Sequence, residues 1–230
     1  GSNMQALIDA RLPGTCAAVI SNRPDAAGLA WAAARGVPTA VVDHKAFPAR
    51  AGFDAALAQE IENRGADLVL LAGFMRILSE PFVRRFEGRL VNIHPSLLPA
   101  FPGLHTHEAA LATGVRVHGC TVHFVTPALD CGPIIVQAVV PVLASDSTDV
   151  LAARDLAQEH IVYPQAARGI LAGQCRLEGG RVIWNDDATP VTEDYKAYDN
   201  GFTGKILKVM IDVKGMGAGA RAEADKAGAE

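Results

Sequence analysis

The chain lacks the spacings that most readily announce a function. Its four cysteines, Cys16, Cys120, Cys131 and Cys175, are scattered without a Cys-x-x-Cys pair, so neither a disulfide framework nor a thiolate metal site is expected. His105, His107, His118 and His123 include no helical i, i+4 pair and no cysteine companion, and the expectation is no metal. No apolar run approaches the roughly 20 residues of a membrane span, and no basic segment followed by an apolar core and a cleavage site opens the chain. Positive charge is not in excess either. The 21 Lys and Arg against 25 Asp and Glu leave a net −4, which gives no attractive field for nucleic acid or an anionic membrane surface. There is no internal repeat, and Ser96 lacks the Gly-x-Ser-x-Gly setting of a nucleophile elbow. These absences leave a cytoplasmic protein with small-molecule partners.

What is present is a core-forming chain of 230 residues, 50% of them hydrophobic, enough for one domain and an appended segment. Short apolar runs at Cys16–Ser21, Thr39–Val42 and Asp67–Ala72 alternate with helical patterns at Ala26–Arg35, Phe53–Asn63 and Ser79–Phe86. That alternation predicts an α/β fold with a mostly parallel sheet and helices on both faces. One antiparallel hairpin, His118–Thr126 with Pro133–Val142, makes the sheet mixed. Asp146–Asp149 offers N-caps for a long helix reaching about Leu171, with Pro164 inside it, and Cys175–Leu177 with Arg181–Trp184 reads as a small hairpin. At the start, Gly1-Ser2-Asn3 feeds a helix with Ser2 or Asn3 as N-cap, without the strand that normally precedes such a helix in an α/β protein.

The richest stretch is Leu90-Val91-Asn92-Ile93-His94-Pro95. On a strand, Leu90, Asn92 and His94 share one face and Val91 and Ile93 the other, and Pro95 ends the ladder because it has no N–H. Two polar side chains thus leave together at a carboxyl strand end, where open α/β sheets place ligands. Asn92 can donate to a developing oxyanion, His94 can hold or release a proton near neutral pH, and Asp130 can support the charged imidazole. A strand-end polar pair and a turn-stabilising Asp explain the same residue types as purely structural features.

Asn92-Ile93-His94-Pro95-Ser96-Leu97-Leu98-Pro99 resembles the signature of folate-dependent formyltransferases. Phe101-Pro102-Gly103-Leu104-His105-Thr106-His107 is similar to its continuation in the branch that formylates glycinamide ribonucleotide in purine biosynthesis. Further matching blocks are Ala72–Leu78, His118-Gly119 with Val122–Val125, and Gln158-Glu159-His160 with Tyr163-Pro164, so the resemblance covers about Gly1 to Trp184. It implies a Rossmann-like formyltransferase fold and transfer of a formyl group from 10-formyltetrahydrofolate to the ribonucleotide amine, without a metal, by a monomer or homodimer. Asn92, His94 and Asp130 match the catalytic trio, with Thr121 and His123 supporting. Met75, Arg76, Ile77 and Leu78, with Asn92, Ala128, Leu129 and Asp130, match folate-binding positions. Gly1, Ser2, Asn3, Gly73, Pro95 and Glu159 match the ribonucleotide side.

Three departures carry expectations of their own. Family members have a strand and a preceding Gly-x before Gly-Ser-Asn, whereas Gly1-Ser2-Asn3-Met4-Gln5-Ala6 picks the motif up at its second Gly. A formyltransferase domain over 1–188 without its first strand is therefore expected. Cys131 stands where the family often has Gly, which would stiffen the loop if that position needs positive φ. Residues 189–230 match nothing in the family and read as a partly disordered tail rich in Gly, Ala and charge, with Lys205–Ile211 as a candidate strand.

Overall fold

The computed structural model describes residues 1–74 and 76–185. The folate-site expectation for Met75, the boundary near 188 and the Lys205–Ile211 strand lie outside the described residues. Helices α1 (Ser2–Asp9), α2 (Ala27–Ala33), α3 (Arg50–Asn63) and α4 (Glu80–Arg85) alternate with strands β1 (Val19–Ser21), β2 (Thr39–Val41), β3 (Val69–Leu71) and β4 (Leu90–His94). Then come α5 (Thr106–Thr113), β5 (Val117–Phe124), β6 (Ile134–Pro141), α6 (Thr148–Leu171), β7 (Cys175–Glu178) and β8 (Arg181–Trp184).

The architecture is the expected α/β one. β1 pairs with β2 and β3 with β4 in parallel, while β4–β5 and β5–β6 are antiparallel. The strands fall into separate pieces: β1–β2, the four-stranded β3-β4-β5-β6 and the β7–β8 hairpin, with no ladder joining β1 to β3. Among the described residues no helix is long and apolar enough to cross a membrane, and all four cysteines are unpaired.

Strand alternation sorts β4 as its sequence dictates. Val91 and Ile93 pack with Val162 and Tyr163 of α6, and Leu90 packs on the opposite cluster of Phe53, Leu57, Phe82 and Phe86 from α3 and α4. The long α6 starts where Ser147 accepts a hydrogen bond from Val150 N–H and continues past Pro164. Its buried stripe runs Leu151, Asp155, Glu159, Val162, Tyr163, Ala166 and Ala167, the spacing of one helical face. Tyr163 is fully buried, and its hydroxyl lies 2.9 Å from Leu71 O and 3.1 Å from Val91 O, tying α6 to β3 and β4. The helix α5 stops at Gly114, whose φ of 75° closes the last turn without a Cβ penalty.

One local expectation is corrected. The cap position of α1 is Gly1, with no side-chain cap bond. Asn3 lies inside the helix and is drawn instead to Glu159 on α6.

Candidate active site

Pro95 ends β4, so Asn92 and His94 emerge at its carboxyl end beside the connection that leaves β3. The parallel register sets Leu71 opposite Asn92, and the antiparallel register sets His123 opposite Asn92 and Thr121 opposite His94. Sheet pairing therefore brings together residues far apart in sequence. His123 is buried, and its Nδ1 lies 2.9 Å from Phe124 O, which makes Nδ1 the proton-bearing nitrogen. Burial is the main cause that lowers the His123 pKa, against the opposing pull of Phe124 O and Asp130. The neutral ring keeps a lone pair on Nε2, 3.4 Å from Asn92 Nδ2. One amide hydrogen of Asn92 is thus turned toward His123 and the other is left to donate.

His94 is held from both ends of its ring. Nε2 lies 3.0 Å from Phe101 O and donates to it, and Nδ1 lies 3.6 Å from Asp130 Oδ2. Both side chains are less than a tenth exposed, 7% and 8%, where a charge interaction is weakly screened. Asp130 Oδ2 also accepts the Gly103 N–H at 2.8 Å, so the loop carrying Asp130 is pinned to the segment carrying Phe101. The loop rests on the end of β5: a Cβ at Gly132 would sit 1.7 Å from Phe124 O, which excludes every other residue type without a backbone shift. The left-handed position in this loop is Asp130, at φ 52°, and Cys131 is not among the positive-φ residues. The expectation that Cys131 stiffens the loop is corrected accordingly, since Asp tolerates that region better than most residues.

The turn between Pro95 and Ala100 is fastened from beneath. Thr121 Oγ1 donates to Ser96 O at 2.7 Å and accepts from Leu98 N at 3.0 Å and Gln137 Nε2 at 2.9 Å, and Gln137 also donates to Leu98 O. Thr121 is expected in a supporting role, and its contacts are with this turn and with Gln137. Gln137 was not singled out, because a lone glutamine carries no motif, and Phe101 and Gly103 entered only as part of the Phe101–His107 stretch, without a role for their backbone groups. Ser96 is fully buried and its Oγ is committed to Ala100 O at 2.7 Å, which leaves no free hydroxyl nucleophile there.

The remaining candidates fall into two groups. On the α1 and α6 side, Asn3 Nδ2 lies 2.5 Å from Glu159 Oε2, and Asn3 Oδ1 is buried without a partner. Burial raises the Glu159 pKa, with the Asn3 bond opposing. Ser2 is half-buried and Gly1 exposed at the helix start. On the connection after β3, Gly73 and Arg76 are exposed, Ile77 is 62% exposed and Leu78 packs into the α3–α4 cluster. The Arg76 guanidinium lies 5.3 Å from the centre of the Phe53 ring. Ala128 is exposed and Leu129 is 55% exposed on the Asp130 loop, and the Pro95 carbonyl accepts from Thr106 Oγ1 and His118 Nε2. An oriented amide, a buried imidazole and a carboxylate can stabilise an oxyanion and move a proton without a protein nucleophile.

Comparison with known proteins gives concordant matches. Residues 1–167 match the model of a family described as formyl transferase. The phosphoribosylglycinamide formyltransferase of Escherichia coli is 47% identical over 201 residues, 86% of this chain and 94% of that protein. The bovine trifunctional purine biosynthetic protein adenosine-3 is 48% identical over 199 residues, 84% of this chain but only 19% of that protein's length. Among solved structures, the glycinamide ribonucleotide transformylase 1 of Symbiobacterium toebii has a TM-score of 0.77 at 50% identity, covering 80% of this chain and 88% of that one. The phosphoribosylglycinamide formyltransferase of Coxiella burnetii has a TM-score of 0.77 at 43% identity, covering 80% and 89%.

Proposed function

This chain belongs to the formyl transferase family, and from that premise we propose that it formylates the amine of glycinamide ribonucleotide in purine biosynthesis, with 10-formyltetrahydrofolate as donor. The activity is assigned to residues 1–188. The folate supplies the formyl group, and the chain's own residues do the rest. Asn92, with one amide hydrogen turned to His123 and the other free, donates to the formyl oxygen as the substrate amine attacks the carbon and negative charge moves onto that oxygen. His94, protonated on Nδ1 and fixed through Nε2 to Phe101 O, adds a second donor. Asp130 stabilises the imidazolium and relays the proton lost by the attacking nitrogen, which ends on the departing folate nitrogen as the bond from carbon to that nitrogen breaks.

Arg76, Ile77 and Leu78, with Ala128 and Leu129, are assigned to the folate, and the exposure of Ile77 and Leu129 suits side chains waiting for a flat ring. Met75 belongs to the same stretch by sequence. Gly1, Ser2 and Asn3 at the start of α1, where backbone N–H groups favour anions, are assigned to the ribonucleotide phosphate. Glu159, with Gly73 and Pro95, is assigned to the rest of that substrate.

The observation that carries the reading is the His94 to Asp130 pair, 3.6 Å apart and shielded from water, on the same strand end as an amide already oriented by His123. Incubating the chain with glycinamide ribonucleotide and 10-formyltetrahydrofolate tests it. Formation of deformylated folate that requires the ribonucleotide is expected. Folate turnover that proceeds equally without the ribonucleotide would mean hydrolysis and overturn the assignment of acceptor.

A further inference from the structure

Asp155 occupies a core-stripe position of α6, between Leu151 and Glu159, and is 0% exposed. A buried carboxylate requires partners for both oxygens. Oδ2 has one in His107 Nε2 at 3.1 Å, while Oδ1 is buried with no hydrogen-bond partner. The formyl-transfer chemistry uses neither residue. A third side chain completes the group: His107 on α5, His118 on β5 and Asp155 on α6 each offer one ligand atom, and those atoms lie within 4.8 Å of one another.

We propose that His107, His118 and Asp155 form a binding site for one zinc ion, which clasps α5, β5 and α6 together behind the turn that follows β4. The donor set of two imidazoles and a carboxylate suits zinc. Zinc bonds of about 2.0–2.1 Å in tetrahedral geometry separate neighbouring ligand atoms by roughly 3.3 Å, close to the observed gap between His107 and Asp155. His118 is prepared as a ligand by its surroundings. Its Nε2 donates to Pro95 O at 3.0 Å, which fixes the tautomer and leaves the lone pair on Nδ1. A metal ligand must offer a lone pair, and the Pro95 contact leaves one on Nδ1.

Cys120, two residues from His118, is fully buried nearby. His107 is 17% exposed while Asp155 is 0% exposed, so the ion enters past the imidazole of α5. The site is a brace separate from the reacting residues. It adjoins them through Pro95 O, through the Phe101 ring, whose centre is 5.9 Å from that of His118, and through Glu159 one turn along α6, and it does not depend on the formyl-transfer reading.

The full chain, stripped with a chelator and dialysed, is titrated with zinc by calorimetry, and with cobalt(II) as a spectroscopic probe. One equivalent of zinc, a thermal midpoint that rises with it, and a tetrahedral cobalt spectrum are expected. Asp155→Asn and His107→Gln should each weaken zinc binding by about two orders of magnitude or more, whereas His105→Gln, at an exposed neighbouring imidazole, should leave it unchanged. Should a variant fail to fold, the cobalt spectrum of the unaltered chain still decides. A spectrum of the aquated ion, no stoichiometric zinc binding, or equal binding by a folded Asp155→Asn chain would overturn the site and leave His107 and Asp155 as an ion pair only.

Discussion

Replacing Asp130 with Asn removes one negative charge 3.6 Å from His94 Nδ1 while keeping an oxygen that can accept from Gly103 N–H. The substitution is gentle on the backbone, since Asn is at home in the left-handed region that Asp130 occupies at φ 52°. Its electrostatic effect is large. Two unit charges at that separation attract by about 4–5 kcal/mol at an effective dielectric of about 20. The attraction exists only when the imidazole is charged, as in the proposed transition state, so its loss falls on turnover. At about 1.4 kcal/mol per tenfold, kcat should drop by roughly three orders of magnitude. KM for both substrates should change little, and the thermal midpoint should stay near that of the unaltered chain. Steady-state kinetics with glycinamide ribonucleotide and 10-formyltetrahydrofolate, followed through the deformylated folate, supply all three readouts. A kcat within tenfold of the unaltered value would refute the reasoning and reduce Asp130 to a loop anchor.

Further substitutions test the supports. Gly132→Ala should cost about 1–3 kcal/mol of stability by forcing the loop off Phe124 O, read by urea unfolding, and should lower turnover as Asp130 moves with it; unchanged stability would show the loop is not in contact. Tyr163→Phe should cost about 1 kcal/mol for the lost hydroxyl bond to Leu71 O and Val91 O, again by urea unfolding, with KM values unchanged. His118 and His123 have folded pKa values below their ordinary 6.5, so the unfolded chain binds more protons and stability falls as pH drops below about 6.5. Glu159, raised above its ordinary 4.5, acts in the opposite sense, gaining stability for the fold as pH falls. Glu159→Gln should therefore steepen the acid loss seen in denaturation at pH 7 and 5.5, and a shallower loss would contradict the burial argument.

The features legible in the sequence were those with a local period or a local cap. Alternation alone put Asn92 and His94 on the face of Leu90 and turned Val91 and Ile93 toward α6. The start of α6 followed from Ser147. What was not legible depends on partners remote in the chain. Asn3 fails as a cap because Glu159, 156 residues away, takes its amide. The grouping of His107 with Asp155 was not visible because Asp155 lies 48 residues beyond His107 on another helix. The available signal was a pair of acids, Asp155 and Glu159, on a mostly apolar helical stripe, which spacing rules built from local motifs do not weigh. Gln137 was missed for the same reason: its role is set by the register of β5 against β6, where it lies opposite Thr121.

The short segment from Phe101 to Gly103 holds both members of the His94–Asp130 pair, His94 through a carbonyl oxygen and Asp130 through an N–H. Both grips are main-chain atoms. The segment therefore behaves as a gauge block, setting the gap between imidazole and carboxylate by the fixed dimensions of the peptide unit and not by any side chain. Phe101 and Gly103 both sit at positive φ, 51° and 83°, so a substitution at either end acts on that gap through the backbone itself.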